Sequence, residues 1–366
     1  MKRRPKHLSL ATLALLAGPL VAATAFDQPV PARIVYPERE SAVVLLGIED
    51  RQLVFRDNTS ARATGIAYLR LAELRQRRAV VVVDLPLEVR VALELAKTSG
   101  ATSDLPLLRE QARPMVKFMA MGGLAGNMCG LVTGYLDTLT RADLPAEFLE
   151  IARQIDFSEA DPSLLAALAR HLEVITPEGA TFGELLGPIL ANDSWSAGHL
   201  ERLMDMADRF RERRWFAEAQ RLYQLLQTYE GSLATRAALW HAYSAYYNGE
   251  PETPGEVLAN LPEIEPHEES FSLYRMILAK LSLRAEDASA AMRSAAEGKA
   301  YAAVNLIWYP ELLYILGQAY EALGEPEAAR YCYREASVLF PDSPWATDSL
   351  ASLQRLATSS SNLPSE

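Results

Sequence analysis

The chain is poor in the residues that do chemistry. Among its 366 residues are two cysteines and five histidines. No HExxH, CxxC, GxSxG or Walker-type sequence occurs, which leaves zinc hydrolases, dithiol oxidoreductases, α/β-hydrolases and P-loop enzymes without support. Four histidines lie beyond Ala25: His171, His199, His241 and His267. His171 and His241 fall on predicted helices and read as structural. His199, just before a predicted helix, reads as a solvated or capping residue. His267 sits among four acids in EIEPHEES, residues 263–270. That segment lacks the ordered ligand spacing of a calcium loop and reads as a solvated connection. No catalytic residue, metal ligand or cofactor is nominated.

Basic charge is also scarce. Lys and Arg total 36 against 47 Asp and Glu, a net charge of −11. The segment from Met1 to Ala25 differs: Lys2, Arg3, Arg4 and Lys6 precede an apolar run from Leu8 to Val21, and Ala23-Thr24-Ala25 follows. This is the plan of a cleavable secretory signal, with cleavage expected after Ala25. Losing four basic residues and no acid takes the net charge from −11 to −15, which repels phosphate backbones and makes nucleic acid a poor partner. The expected location is the periplasm or the medium.

What is present is pattern. Residues 30–86 are β-rich: ARIVYP, then SAVVLLGIEDRQLVFRD as a hairpin turning near Glu49-Asp50, then ATGIAYLRL and AVVVVDLP, with a helical turn at LAELRQ. Five short strands with a turn before the last resemble the small Sm-like or SH3-like barrels, so a closed barrel is expected. Arg75, Arg77 and Arg78 read as a solvated turn.

From Pro310 to Ser343 a different spacing takes over. Leu313, Leu316, Gly317 and Tyr320 are followed by Gly324, then by Ala329, Tyr333, Ala336 and Pro341. Small residues let two helices approach, and aromatics one turn away fill the gaps beside them. The stretch resembles the tetratricopeptide repeat, a short helix-turn-helix unit that recurs at a fixed period. Leu203, Met206, Ala207, Phe210, Ala219 and Tyr223 repeat the pattern, with Leu226 where a small residue is usual. Between these units the register is ambiguous. Trp240–Tyr247 forms a helix, residues 271–283 and 286–297 a further pair, and residues 345–356 a capping helix before a disordered tail, 357–366.

Upstream, residues 87–97 pair with 104–121 and residues 127–139 with 145–155, the last announced by Asp143. Asp161-Pro162 opens another helix. The glycines at 122, 126, 130 and 134 have the spacing of packed membrane helices. Paired glycines and Asn127 favour a helix break over a packed glycine helix or a membrane span, with Gly122-Gly123 closing one helix and Asn127 capping the next.

The expected fold is therefore mainly α: an irregular solenoid of helix pairs over 87–198, tetratricopeptide-like repeats over 199–356, and a small barrel in front. In a solenoid each repeat touches only its neighbours. Cys129 and Cys332, far apart along the chain, are then expected free and buried, since a disulfide needs Cα atoms within about 7 Å. The resemblance implies a concave groove that takes up a peptide or helix of another protein. Carried over by position, the groove residues are Glu311, Tyr314, Gln318 and Glu321 in the last repeat. In the earlier one they are Glu201, Met204, Asp208 and Arg211, with Trp240, Ser244 and Tyr247 between. Trp240, Tyr243, Tyr246 and Tyr247 also suit packing between helices. The expected role is that of a non-catalytic scaffold for envelope proteins, without a cofactor. A module binding peptidoglycan or exopolysaccharide, or an enzyme with an unrecognised site, stands as the alternative.

Overall fold

A computed structural model describes residues 28–57 and 65–361. The expected signal segment, and residues 362–366 of the expected tail, lie outside the described residues. The chain forms two compact units, one ending at Ile189 and the other beginning at Leu190.

The first unit opens with β1 (Val30–Val35), β2 (Glu40–Glu49), β3 (Gln52–Asp57), β4 (Ile66–Arg70), α1 (Leu71–Gln76) and β5 (Val80–Val82). In β1 the side chains of Val30, Ala32 and Ile34 are buried, the period of two that one covered face requires. The β2–β3 turn places Asp50 at φ 47° and Arg51 at φ 59°, the paired left-handed residues of a tight hairpin whose twist matches its strands. All five expected strands are present and antiparallel, in the order β4-β3-β2-β1-β5.

The sheet does not close, so the expected barrel is corrected to an open sheet. A neighbouring segment occupies the flank of β5. The Asn127 side chain accepts from Val83 N–H at 3.0 Å and donates to the Val83 carbonyl at 2.7 Å, imitating a strand partner. Beside it, a Cβ on Gly126 would stand 2.4 Å from the Val81 carbonyl oxygen, and Gly126 has φ +50°.

Asn127 therefore does not cap a helix. It begins α4 (Asn127–Arg141) with its amide turned to the sheet, and Gly126 holds the cap position. The expected break is real: a 3-10 segment, Arg113–Ala125, is interrupted at Gly122. Among the described residues no helix is long and apolar enough to cross a membrane. Helix α4 is buried on most of its circumference and packs against α2 (Leu87–Ser99), α3 (Leu105–Ala112), α5 (Pro145–Ala152) and α6 (Ser163–Leu172). Glu147 on α5 ties these elements together. It accepts two bonds of 2.6 Å from Arg109 and one of 3.1 Å from Arg113, and bonds the Tyr135 hydroxyl. Burial and this carboxylate push the Tyr135 phenol up to about 12. Helix α7 (Ala180–Ala191) follows.

The second unit is a run of helix pairs: α8 (Ala197–Glu212) with α9 (Phe216–Leu226), and α10 (Ser232–Tyr247) with the short α11 (Thr253–Ala259). Next come α12 (Glu269–Arg284) with α13 (Ala288–Tyr301), and α14 (Tyr309–Ala322) with α15 (Pro326–Leu339), before α16 (Pro344–Ser361). Helix α16 runs past Leu356, where the sequence pattern placed its end. Each first helix from α10 onward also packs on the next, α10 on α12, α12 on α14 and α14 on α16. This is the solenoid-like arrangement expected. Gly317 allows the close approach within the last pair: a Cβ there would meet the Tyr333 ring at 2.5 Å. The spaced residues of the α8–α9 pair, Leu203, Met206, Ala207, Phe210, Ala219, Tyr223 and Leu226, are all fully buried. Cys129 and Cys332 are free and buried.

One turn geometry recurs. After α4, α8, α10, α12 and α14 the chain takes positive φ at Asp143, Arg214, Gly249, Glu286 and Gly324. The next residue donates its N–H five positions back, at 3.1, 2.9, 3.1, 2.9 and 2.9 Å. This bond satisfies a carbonyl at the helix end. Asp143 thus terminates α4 and is not a start signal for α5, whose cap position is Leu144.

Two outcomes follow. Glu286→Gly should raise the stability of the protein by about 1 kcal/mol, the left-handed penalty less the greater unfolded-state freedom of glycine. Gly324→Ala should lower it by a similar amount, both read from urea midpoints. Separately, buried His171 stacks on Phe148 at 3.6 Å and has Nδ1 3.0 Å from Thr140 Oγ1. The Thr140 hydroxyl donates to the Leu136 carbonyl, so Nδ1–H donates to Thr140 and Nε2 is left bare. Burial holds this imidazole down to about 4 from an ordinary 6.5. The unfolded chain takes up a proton that the fold refuses, so stability should fall as pH drops from 6.5 towards 4. In His171→Leu that slope should be shallower in urea titrations across the same window.

Candidate functional site: an aromatic groove

The common turn fixes the register of the whole second unit. Counting back from each left-handed residue, Ala207, Ala242, Ala279 and Gly317 occupy one position, all buried. One residue further along each helix stand Asp208, Tyr243, Lys280 and Gln318. Tyr243, Lys280 and Gln318 line a groove of about 900 Å³, which extends from the α8–α9 turn across α10, α12 and α14 to the start of α16.

Its floor is built around one ion pair. Lys280 is 6% exposed and Glu311 2% exposed, and the two are paired across α12 and α14. The Tyr247 hydroxyl donates to Glu311 Oε1 at 2.7 Å and accepts from Lys280 Nζ at 2.6 Å, while the Tyr243 hydroxyl donates to Glu311 Oε2 at 2.8 Å. Burial, then the Glu311 charge, push both phenols well above their ordinary range, so they stay protonated as donors. The Lys280 ammonium lies 4.4 Å from the Tyr247 ring centroid, 5.0 Å from Tyr246, 5.4 Å from Trp345 and 5.5 Å from Tyr243. These distances suit cation–π attraction.

A second polar cluster closes the α8 end. Asp208 accepts from Tyr223 and Arg236 at 2.6 Å each and pairs with Arg211 at 3.5 Å. The Arg211 guanidinium stacks 3.8 Å from the Trp240 ring. At the rim, Trp308 anchors the α13–α14 loop. Its ring meets Trp240 edge-on at 5.7 Å and its Nε1 donates to Ser272 at 3.0 Å. That loop holds Val304 and Ile307 over the groove, where they and Leu339 of α15 are each 55% exposed.

Of the residues carried over from the repeat pattern, Arg211, Trp240, Tyr247, Glu311, Tyr314 and Gln318 line the groove. Glu201 is exposed but away from it, Met204 is buried in the helix contact, and Asp208 is spent in its own cluster. Glu321 is engaged by Tyr333 at 2.9 Å and Arg355 at 2.8 Å. Ser244 is buried off the groove, one position from the true register. Glu311 is not a free acid for a basic ligand, since Lys280 and two phenols already satisfy it. Sequence reasoning missed Lys280, Trp308 and Trp345; Tyr243 and Tyr246, for which it favoured packing over ligand contact, also line the groove.

The histidines stay out of the groove. His199 is 5% exposed, not solvated, with Nδ1 2.6 Å from Ser196 Oγ. His241 is buried between Gln220 and Gln227. In the 263–270 loop, Glu268 accepts from the Glu265 N–H at 2.9 Å and so closes its own turn. Among the described residues no group of three or more His, Cys, Asp or Glu side chains is placed to hold a metal ion.

The family model of the tetratricopeptide repeat matches residues 310–343, the α14–α15 pair with its closing Pro341. No curated protein matches the chain. The shared turn and the buried small residues extend tetratricopeptide-like geometry to the α8–α9 and α12–α13 pairs, and repeats of this kind mediate contacts between proteins.

Lys280→Met should cost about 3–5 kcal/mol, because it strands a buried carboxylate. Lys280→Met with Glu311→Leu should recover part of that loss: a desolvated pair is replaced by apolar volume, but the Tyr243 and Tyr247 hydroxyls lose their shared acceptor. Denaturant midpoints of both variants measure the difference.

Proposed function

We propose that the protein is an exported, non-catalytic scaffold that holds a segment of another envelope protein in the groove of its second unit. The observation that carries this reading is the rim. Val304, Ile307 and Leu339 are large apolar side chains, each 55% exposed, grouped around one aromatic-floored groove. Scattered apolar residues on a surface need no explanation, but a contiguous patch bordering a concavity is characteristic of a protein contact. The half-buried Tyr314 and Trp345, seated on the buried floor, give a partner's side chains fixed aromatic surfaces with little ordering cost on the groove side. The signal-like start of the chain supports export.

The test is in-cell cross-linking of the tagged protein followed by mass spectrometry, together with fractionation of the envelope. Ile307→Asn with Leu339→Asn alters only exposed positions and should leave the circular dichroism unchanged. It should reduce the yield of a defined cross-linked protein by at least about fivefold. Undiminished cross-linking counts against the groove. Retention on purified sacculi or polysaccharide without a protein partner supports the polymer-binding alternative.

A further inference from the structure

The groove is electrically quiet in the middle and charged at its two ends. In the middle, Lys280 and Glu311 satisfy each other. At the α8–α9 turn the lining charges are Arg211, Glu212 and Arg214. Glu212 lies 3.8 Å from Arg211 and offsets it. Arg214 is exposed and makes no ion pair among the described residues, so one positive charge is left over. At the far end the lining charges are Asp342 and Asp348, and neither has an ion-pair partner among the described residues. The α8–α9 turn and the start of α16 lie at opposite ends of the run of packed helices. A groove with a free cation at one end, two free carboxylates at the other and an apolar rim between favours one charge order over all others.

We propose that the occupant of the groove is a protein segment with apolar side chains flanked by an acidic residue on one side and a basic residue on the other. It docks with its acid at Arg214 and its base at Asp342 and Asp348. The proposal rests on the groove reading above and adds the partner's chemistry to it. The apolar part lies between the faces of Trp345 and Tyr314 and the rim residues Ile307 and Leu339. The internally neutralised floor pairs with no charge, so the partner's charges act only at the ends. Exposed ends are screened by salt while the apolar centre is not. Discrimination between partners therefore weakens with ionic strength before binding itself does.

The test uses the full chain and three labelled synthetic peptides that share one Leu-Trp-Leu centre. One has aspartates on one side and lysines on the other, one has aspartates on both sides, and one has lysines on both. Fluorescence anisotropy should give the mixed-charge peptide at least about tenfold tighter binding at low salt. Arg214→Glu should weaken the mixed peptide and strengthen the all-lysine one. Asp342→Lys with Asp348→Lys should weaken the mixed peptide and strengthen the all-aspartate one. If all three peptides bind alike and all are lost in Ile307→Asn with Leu339→Asn, the charge order is overturned and the groove stands. If that rim variant changes nothing, the groove reading itself is overturned. Absence of binding by every peptide overturns the charge order as well, and the cross-linking result then judges the groove alone.

Discussion

The buried contact between Lys280 and Glu311 sets the form of the groove. Taking both ions out of water costs several kcal/mol each, and their attraction offsets this only when the remaining hydrogen-bonding capacity is met. Here it is met from a third helix: Tyr243 and Tyr247 of α10 donate to the carboxylate, and the ammonium of α12 reaches the Tyr247 oxygen. Three successive repeats are thereby held by a single polar cluster. None of them can slide along its neighbour without stranding a charge. Ridges of leucine and alanine alone tolerate small shifts. The cluster does not, so it fixes where the aromatic faces stand.

The same contact explains why so much of the groove was hidden in the sequence. The final repeat was legible because its spacing follows the family period and its small residues, Gly317 and Ala329, sit where two helices touch. The middle repeats have the same small residue at Ala242 and Ala279, but the interval between successive small residues lengthens at every step from Ala207 to Gly317. A fixed period loses them. The lost register moved attention from Tyr243 to Ser244 and passed over Lys280 altogether. A lysine on an amphipathic helix normally reads as a solvated residue. Its partner Glu311 stands on a different helix pair, a separation that no local pattern reveals. The pairing that satisfies Glu311 inside the groove is hidden from sequence for the same reason.

The first unit gives the complementary case. Its strands, its hairpin turn and its helix break were all legible, because alternation, paired turn residues and paired glycines are local signals. The closure of the sheet was not legible. Closure depends on what lies beside β5, and there the Asn127 amide stands in for a strand. Asn127 at a helix start looks like a cap, yet a cap and a strand mimic use the same amide chemistry. Only the close approach of Gly126 to Val81 decides between them.

Aromatic residues in such a groove have two roles that sequence cannot separate, since the side chains that pack helices together also offer their faces to a ligand. The structure separates them by exposure and bonding. Trp240 is 1% exposed and Tyr243 6%; one is covered by Arg211 and the other is bound to Glu311, so both belong to the framework. Trp345 and Tyr314, half-buried and 5.5 Å apart, stand at the surface of the same groove. Val304 and Ile307 lie on a loop whose Trp308 is pinned inside, so their exposure is held by the fold. Framework aromatics, surface aromatics and a pinned apolar rim thus form successive layers around one ion pair. The innermost layer sets the geometry, and the outermost is the part free to meet another molecule.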